Sequence, residues 1–94
     1  MCGKLFLTVM GTYDKLVQSI LSGRQDQSFR FSEITHLLLA LGFSERIKGS
    51  HHIYYRPDIS EIINIQPNGS QAKPYQVKQV RNIMVKYQLE VPHE

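Results

Sequence analysis

Hydrophobic positions fall into two rhythms along this chain, one of 3.6 residues and one of 2. Tyr13, Leu16, Val17, Ile20 and Leu21 recur at i, i+3, i+4, i+7 and i+8, which is one face of a helix. Thr12 is placed to cap its start, Asp14 sits in the favourable first turn, and Gly23 ends it. The polar run "RQDQ" (24–27) reads as an exposed connector. A second helix is expected with Ser32 as N-cap and Glu33 in its first turn. Ile34, Leu37, Leu38 and Leu41 form its buried face, and Gly42 stands just past its end. Phe43 can then fold back onto that helix.

From Ser44 the period drops to two. "SERIK" (44–48), the Gly49-Ser50 turn and "HHIYYR" (51–56) make a β-hairpin, and "SEIINIQP" (60–67) makes a third strand bounded by Pro57 and Pro67. Ile63 and Ile65 share one face of that strand, with Asn64 and Gln66 on the other. In the second strand Ile53 and Tyr55 share a face with His51, while His52 aligns with Tyr54. "NGSQAK" (68–73) is loop material, and Pro74 suits the first position of a last helix. Val77, Val80, Ile83, Met84 and Tyr87 supply its apolar stripe. The order helix, helix, three strands, helix predicts an α+β fold in two layers. Two helices cover one face of a three-stranded antiparallel meander, with the first helix packed at the side.

Ninety-four residues, 41% hydrophobic and 20% charged, suit one soluble domain with a single core. Cys2 is the only cysteine, which leaves no disulfide framework or thiolate zinc cluster and fits a reducing cytoplasm. The apolar run Leu5 to Met10 is too short for a membrane span or a secretory segment. Residues 1–9 read as a leader, with Met10 as an alternative start.

The formal charge is +3, and its distribution matters more than its size. From Gly69 to Tyr87 the chain holds Lys73, Lys78, Arg81 and Lys86 and no acidic residue. Arg46, Lys48 and Arg56 form a second basic group. Such a surface suits a polyanion or an acidic protein, though solvated lysines on an open helix face give the same pattern.

Phosphate-binding loops, dinucleotide fingerprints and nucleophile elbows are missing. Carboxylates do not pair at a suggestive spacing, and no aromatic RNA-recognition motif is present. What remains is "KGSHHIYYRPD" (48–58), with two adjacent histidines. His51 and His52 point to opposite faces of a strand, so they do not share a metal ion. The plain expectation is that His51 lies at the edge of the core and His52 on the solvent face. His36 and His93 read as surface residues.

The segments "LLLALGF" (37–43), "KGSHHIYY" (48–55), the strand closing at Pro67 and "KPYQVKQVRNIMVKYQL" (73–89) together resemble the HicA-type toxins. These are the mRNA interferase half of a bacterial toxin–antitoxin pair. The resemblance covers 31–89, leaving 1–30 as leader and extra helix and 90–94 as a tail. It implies an α-β-β-β-α core like the double-stranded-RNA-binding domain, a catalytic histidine at the third position of Gly-Ser-His (here His51), and a HicB-type antitoxin partner. Two departures stand out. Many members carry another histidine after the proline that ends the third strand, where this chain has Asn68 and Gly69. The N-terminal helix is also additional.

The chemistry implied is cytoplasmic, cofactor-free and metal-independent RNA cleavage. RNA brings its own nucleophile, the 2′-hydroxyl. Histidine, with an ordinary pKa of about 6.5, can take or give the proton near neutrality. His51 is the candidate for that transfer, with Ser50 and His52 as supporting groups. Lys48, Arg56, Lys73, Lys78 and Arg81 are candidate RNA contacts. A non-catalytic RNA-binding module and a protein-interaction adaptor are the alternatives the residues leave open.

Overall fold

The computed structural model describes residues 12–92. The leader reading of residues 1–9 and the surface reading of His93 lie outside them. The elements are α1 (Asp14–Ser22), α2 (Phe31–Ala40), β1 (Ser44–Lys48), β2 (His51–Arg56), β3 (Ile59–Ile65) and α3 (Pro74–Tyr87). The three strands form one antiparallel sheet in the order β1-β2-β3, and α2 and α3 cover one of its faces. The helix α1 packs on α3.

The helix starts differ from expectation in an instructive way. For α1 the N-cap is Tyr13, without a side-chain cap, rather than Thr12. For α2 it is Arg30, two residues before the expected Ser32. The Glu33 carboxylate accepts the Arg30 N–H at 2.8 Å, and the Phe31 N–H donates to Ser70 C=O at 2.9 Å. The loop after β3 thus satisfies one of the donors left free at this helix start. The ends follow simpler rules: Gly23 closes α1 with φ +72°, a backbone angle that favours glycine.

Ile34, Leu37 and Leu38 of α2, with Leu41 at its C-cap, meet Val77, Val80, Ile83 and Met84 of α3 over Tyr54, Ile59, Ile63 and Ile65 of the sheet. The strand β3 decides which face of β2 turns inward. Burying Ile59, Ile63 and Ile65 on one face is worth roughly 1.5–3 kcal/mol each. Ile63 pairs with Tyr54 and Ile65 with His52, so those two residues must share the helical side. The sequence expectation had it the other way round. Tyr54 is fully buried, and His52, not His51, faces the helices. β3 itself runs from Ile59 to Ile65, earlier than the expected 60–67, with a register irregularity opposite Tyr54–Arg56.

The Tyr54 hydroxyl donates to the Glu45 carboxylate on the neighbouring strand. Burial, reinforced by Glu45, pushes the Tyr54 phenol well above its ordinary pKa.

Both covering helices run the same way as β2. Phe31, at the start of α2, lies against His52, while the carbonyl of Leu41 at its end reaches Arg56. Gln76 near the start of α3 meets Gln66, while Lys86 near its end meets Glu61. The two helix N-termini therefore lie at the same end of the sheet as the Gly49-Ser50 turn. That end becomes the positive pole of the aligned backbone dipoles.

Candidate functional site

The hairpin turn sets up the site. Gly49 takes φ +63° at the first position of a two-residue loop, where primed turns call for glycine, and this brings Lys48 directly opposite His51. His51 opens β2 on the uncovered face of the sheet, exposed to solvent.

Its ring is held from β3. The Nδ1 atom lies 3.2 Å from Asn64 Oδ1, and the Gln66 side-chain nitrogen lies 3.1 Å from both ring nitrogens. An amide oxygen can only accept, so Asn64 selects the tautomer protonated on Nδ1. That leaves the lone pair on Nε2, where Gln66 donates to it. Gln66 is itself anchored. With its amide oriented to suit these partners, buried Gln76 on α3 accepts the Gln66 backbone N–H at 3.0 Å and donates to the Gln66 C=O at 3.3 Å. A line of polar contacts thus runs from α3 through Gln66 to the imidazole, and rigid support of this kind is what positions a reactive group.

The candidate residues separate into three groups. Lys48 and Ser50 flank His51, one across the ladder and one in the turn, both exposed. Lys73 caps α3 at the same end of the molecule as Arg30 caps α2. His52, Arg56, Lys78 and Arg81 are not brought to His51.

His52 faces the helices. Its ring stands edge-on to Phe31, with centroids 4.9 Å apart and planes at 78°. Its Nδ1 is buried and unpartnered, and the Glu45 carboxylate at 3.9 Å is beyond hydrogen-bond reach.

Arg56 closes β2 at the far end, about 17 Å from His51 by strand rise. It forks onto Asp58 (3.0 and 2.7 Å), donates to Leu41 C=O at 2.6 Å and lies over the Phe43 ring at 5.7 Å. Its guanidinium holds the Asp58 carboxyl below the usual carboxylate range. Lys78 is exposed on α3, on the other side of the sheet from His51.

Arg81 works as a clamp. It grips Asp26 at 2.8 and 3.0 Å and the Ile20 carbonyl at 3.1 Å, tying the end of α1 and its following loop to α3. Hydrogen bonding to Arg81 lowers the Asp26 pKa.

Asn64, Gln66 and Gln76 escaped the sequence reading as site residues. Asn64 and Gln66 did carry a signal, a polar alternation on β3, but only the β2–β3 register brings it beneath His51. Nothing local marks Gln76, which falls among apolar neighbours on the buried stripe. Among the described residues, no three His, Cys, Asp or Glu side chains gather as a metal site, and no helix is long and apolar enough to cross a membrane.

A family model for the HicA toxin of bacterial toxin–antitoxin systems matches residues 31–86, more than half of the chain. The chain belongs to the HicA toxin family. No curated protein and no solved structure gives a significant match. The family match begins at the first residue of α2 and stops one residue short of the end of α3, so it takes in the whole α-β-β-β-α core and leaves α1 outside. Membership places this HicA protein among toxins of the RNase type that act within toxin–antitoxin systems.

Proposed function

We propose that this HicA protein is a metal-independent endoribonuclease in which His51 removes the proton of a ribose 2′-hydroxyl. The observation that carries the reading is the held, solvent-exposed imidazole, with Nδ1 against Asn64 and Nε2 left as the proton acceptor. Gln66 occupies the Nε2 lone pair in the free protein, and an incoming 2′-hydroxyl takes its place. The oxygen then attacks the adjacent phosphorus, and the bond to the 5′-oxygen breaks. That oxygen takes a proton from water while His51 holds the one it removed, giving a 2′,3′-cyclic phosphate and a 5′-hydroxyl end. A positioned base contributes about 10²–10⁴-fold. Lys48, directly across the ladder, is the candidate for the charge that builds on the phosphate. DNA lacks the nucleophile and is not cut.

The partner in this reading is a HicB-type antitoxin acting in the cytoplasm. Its acidic groups would meet the positive end of the toxin, where Lys48, Arg30, Lys73 and two helix N-termini gather, and association would be fast and salt-sensitive. A second reading, RNA binding without cleavage, draws on the same contacts, because Asn64 and Gln66 already satisfy both ring nitrogens. Induced expression in a bacterium separates the two. Growth arrest by the wild type but not by His51→Ala, with both proteins folded, supports cleavage. Arrest by both removes His51 from the mechanism.

A further inference from the structure

The uncovered face of the sheet is chemically one-sided. Its outward residues stand in rows set by the strand register. Lys48 is opposite His51, and Arg46 is opposite Ile53, which in turn is opposite Asn64. Further along β2 come Tyr55, 40% exposed, and Ile62 on β3, 61% exposed. The face holds two cations and no carboxylate. The acidic residues of the strands turn to the other side, where Glu45 accepts from Tyr54 and Glu61 is held by Lys86 and Tyr87. An open aromatic ring and two isoleucines beside a pair of cations match a strand whose phosphates and bases are both accessible. They do not match a duplex, whose bases are stacked away inside.

We infer that this face binds single-stranded RNA and that Tyr55 is a base-stacking residue that sets the position of the strand over His51. The inference rests on the proposed RNA cleavage and assigns its substrate track. Tyr55 lies four residues from His51 on the same face, about 13 Å along the strand. The base it stacks is therefore a neighbour of the cleaved nucleotide, not that nucleotide itself. Arg46 and Lys48, two residues apart on β1 and so about 7 Å apart, meet successive phosphates. Lys78 and Arg81, on the helical side, take no part.

A short, labelled, fully 2′-O-methylated oligoribonucleotide tests this, because it cannot be cut and reports binding alone. Wild type is expected to prefer the single strand to the same sequence as a duplex. Tyr55→Ala should weaken single-strand binding roughly ten- to a hundredfold, whereas Tyr55→Trp should keep it. Arg46→Ala should reduce the slope of log affinity against log salt by about 1, and Lys78→Ala should leave it unchanged. With cleavable RNA, Tyr55→Ala should raise KM and lower kcat/KM roughly ten- to a hundredfold. Thermal unfolding of each variant confirms that the fold is kept. Equal binding by wild type and Tyr55→Ala, or equal affinity for the duplex, overturns the inference and leaves the face to a protein partner. Tyr55-dependent binding without any cleavage of unmodified RNA would support the track and sink the nuclease reading. Cleavage indifferent to Tyr55 would do the reverse.

Discussion

His51 Nδ1 and Asn64 Oδ1 face each other at 3.2 Å, diagonally across the β2–β3 ladder. This contact determines which ring nitrogen is left as a proton acceptor. Its loss should therefore reduce turnover more than binding. Asn64→Leu is expected to lower kcat about ten- to a hundredfold with little change in KM, the signature of a misplaced base. Asn64→Asp gives a sharper readout. A carboxylate beside the imidazole favours its protonated form, so the acid limb of the pH–rate profile should move to higher pH. Profiles measured on a fixed RNA substrate check both variants, and wild-type kinetics in Asn64→Leu would contradict the positioning role.

His52 makes a contrasting case. Its Nδ1 is buried and unpartnered, and its ring already packs edge-on to Phe31. Replacing the imidazole with a phenyl ring keeps that packing and removes an unsatisfied polar atom. His52→Phe should raise stability by about 1 kcal/mol, or roughly 4–8 °C in Tm for a domain of this size. Cleavage should persist. A stable but inactive His52→Phe protein would instead make His52 the second proton-transfer group.

The pairing of Glu61 contributes to the acid sensitivity of the fold. Lys86 and then Tyr87 donate to its carboxylate and hold its pKa at about 2, below the ordinary 4.5. The folded state thus binds its proton less readily than the unfolded state. The stabilisation is complete above pH 4.5 and is lost as pH falls towards 2. Asp26 and Asp58, lowered by Arg81 and Arg56, act in the same direction. Denaturant midpoints should therefore fall through that window, and Glu61→Gln should flatten the fall. An unchanged slope in the variant would show that the pair contributes nothing.

Much of this fold was legible from the chain because its signals are local. Helical stripes, the Gly49 turn and Pro74 at the first position of α3 each report on their own neighbourhood. The inward face of β2 was not legible, because "HHIYYR" offers two nearly equivalent faces and β3 makes the choice. The start of α2 was missed for a similar reason, since Ser70 supplies a partner from outside the helix. At the candidate site, Gly-Ser-His is the segment that singles out His51. Its surroundings were not legible, because Asn64 and Gln66 meet it, and Gln76 meets Gln66, only once sheet and helix are assembled. Arg56 and Arg81 looked like RNA contacts by charge alone, yet each is engaged by an aspartate and a backbone carbonyl.

The most direct measurement incubates purified wild-type protein and His51→Ala with RNA in excess EDTA and identifies the ends produced. The expected result is cleavage by the wild type, with 2′,3′-cyclic phosphate and 5′-hydroxyl ends, and intact RNA with a folded His51→Ala. Cleavage that continues in His51→Ala, or that stops for both proteins once divalent ions are removed, would contradict a metal-independent reaction driven by this imidazole.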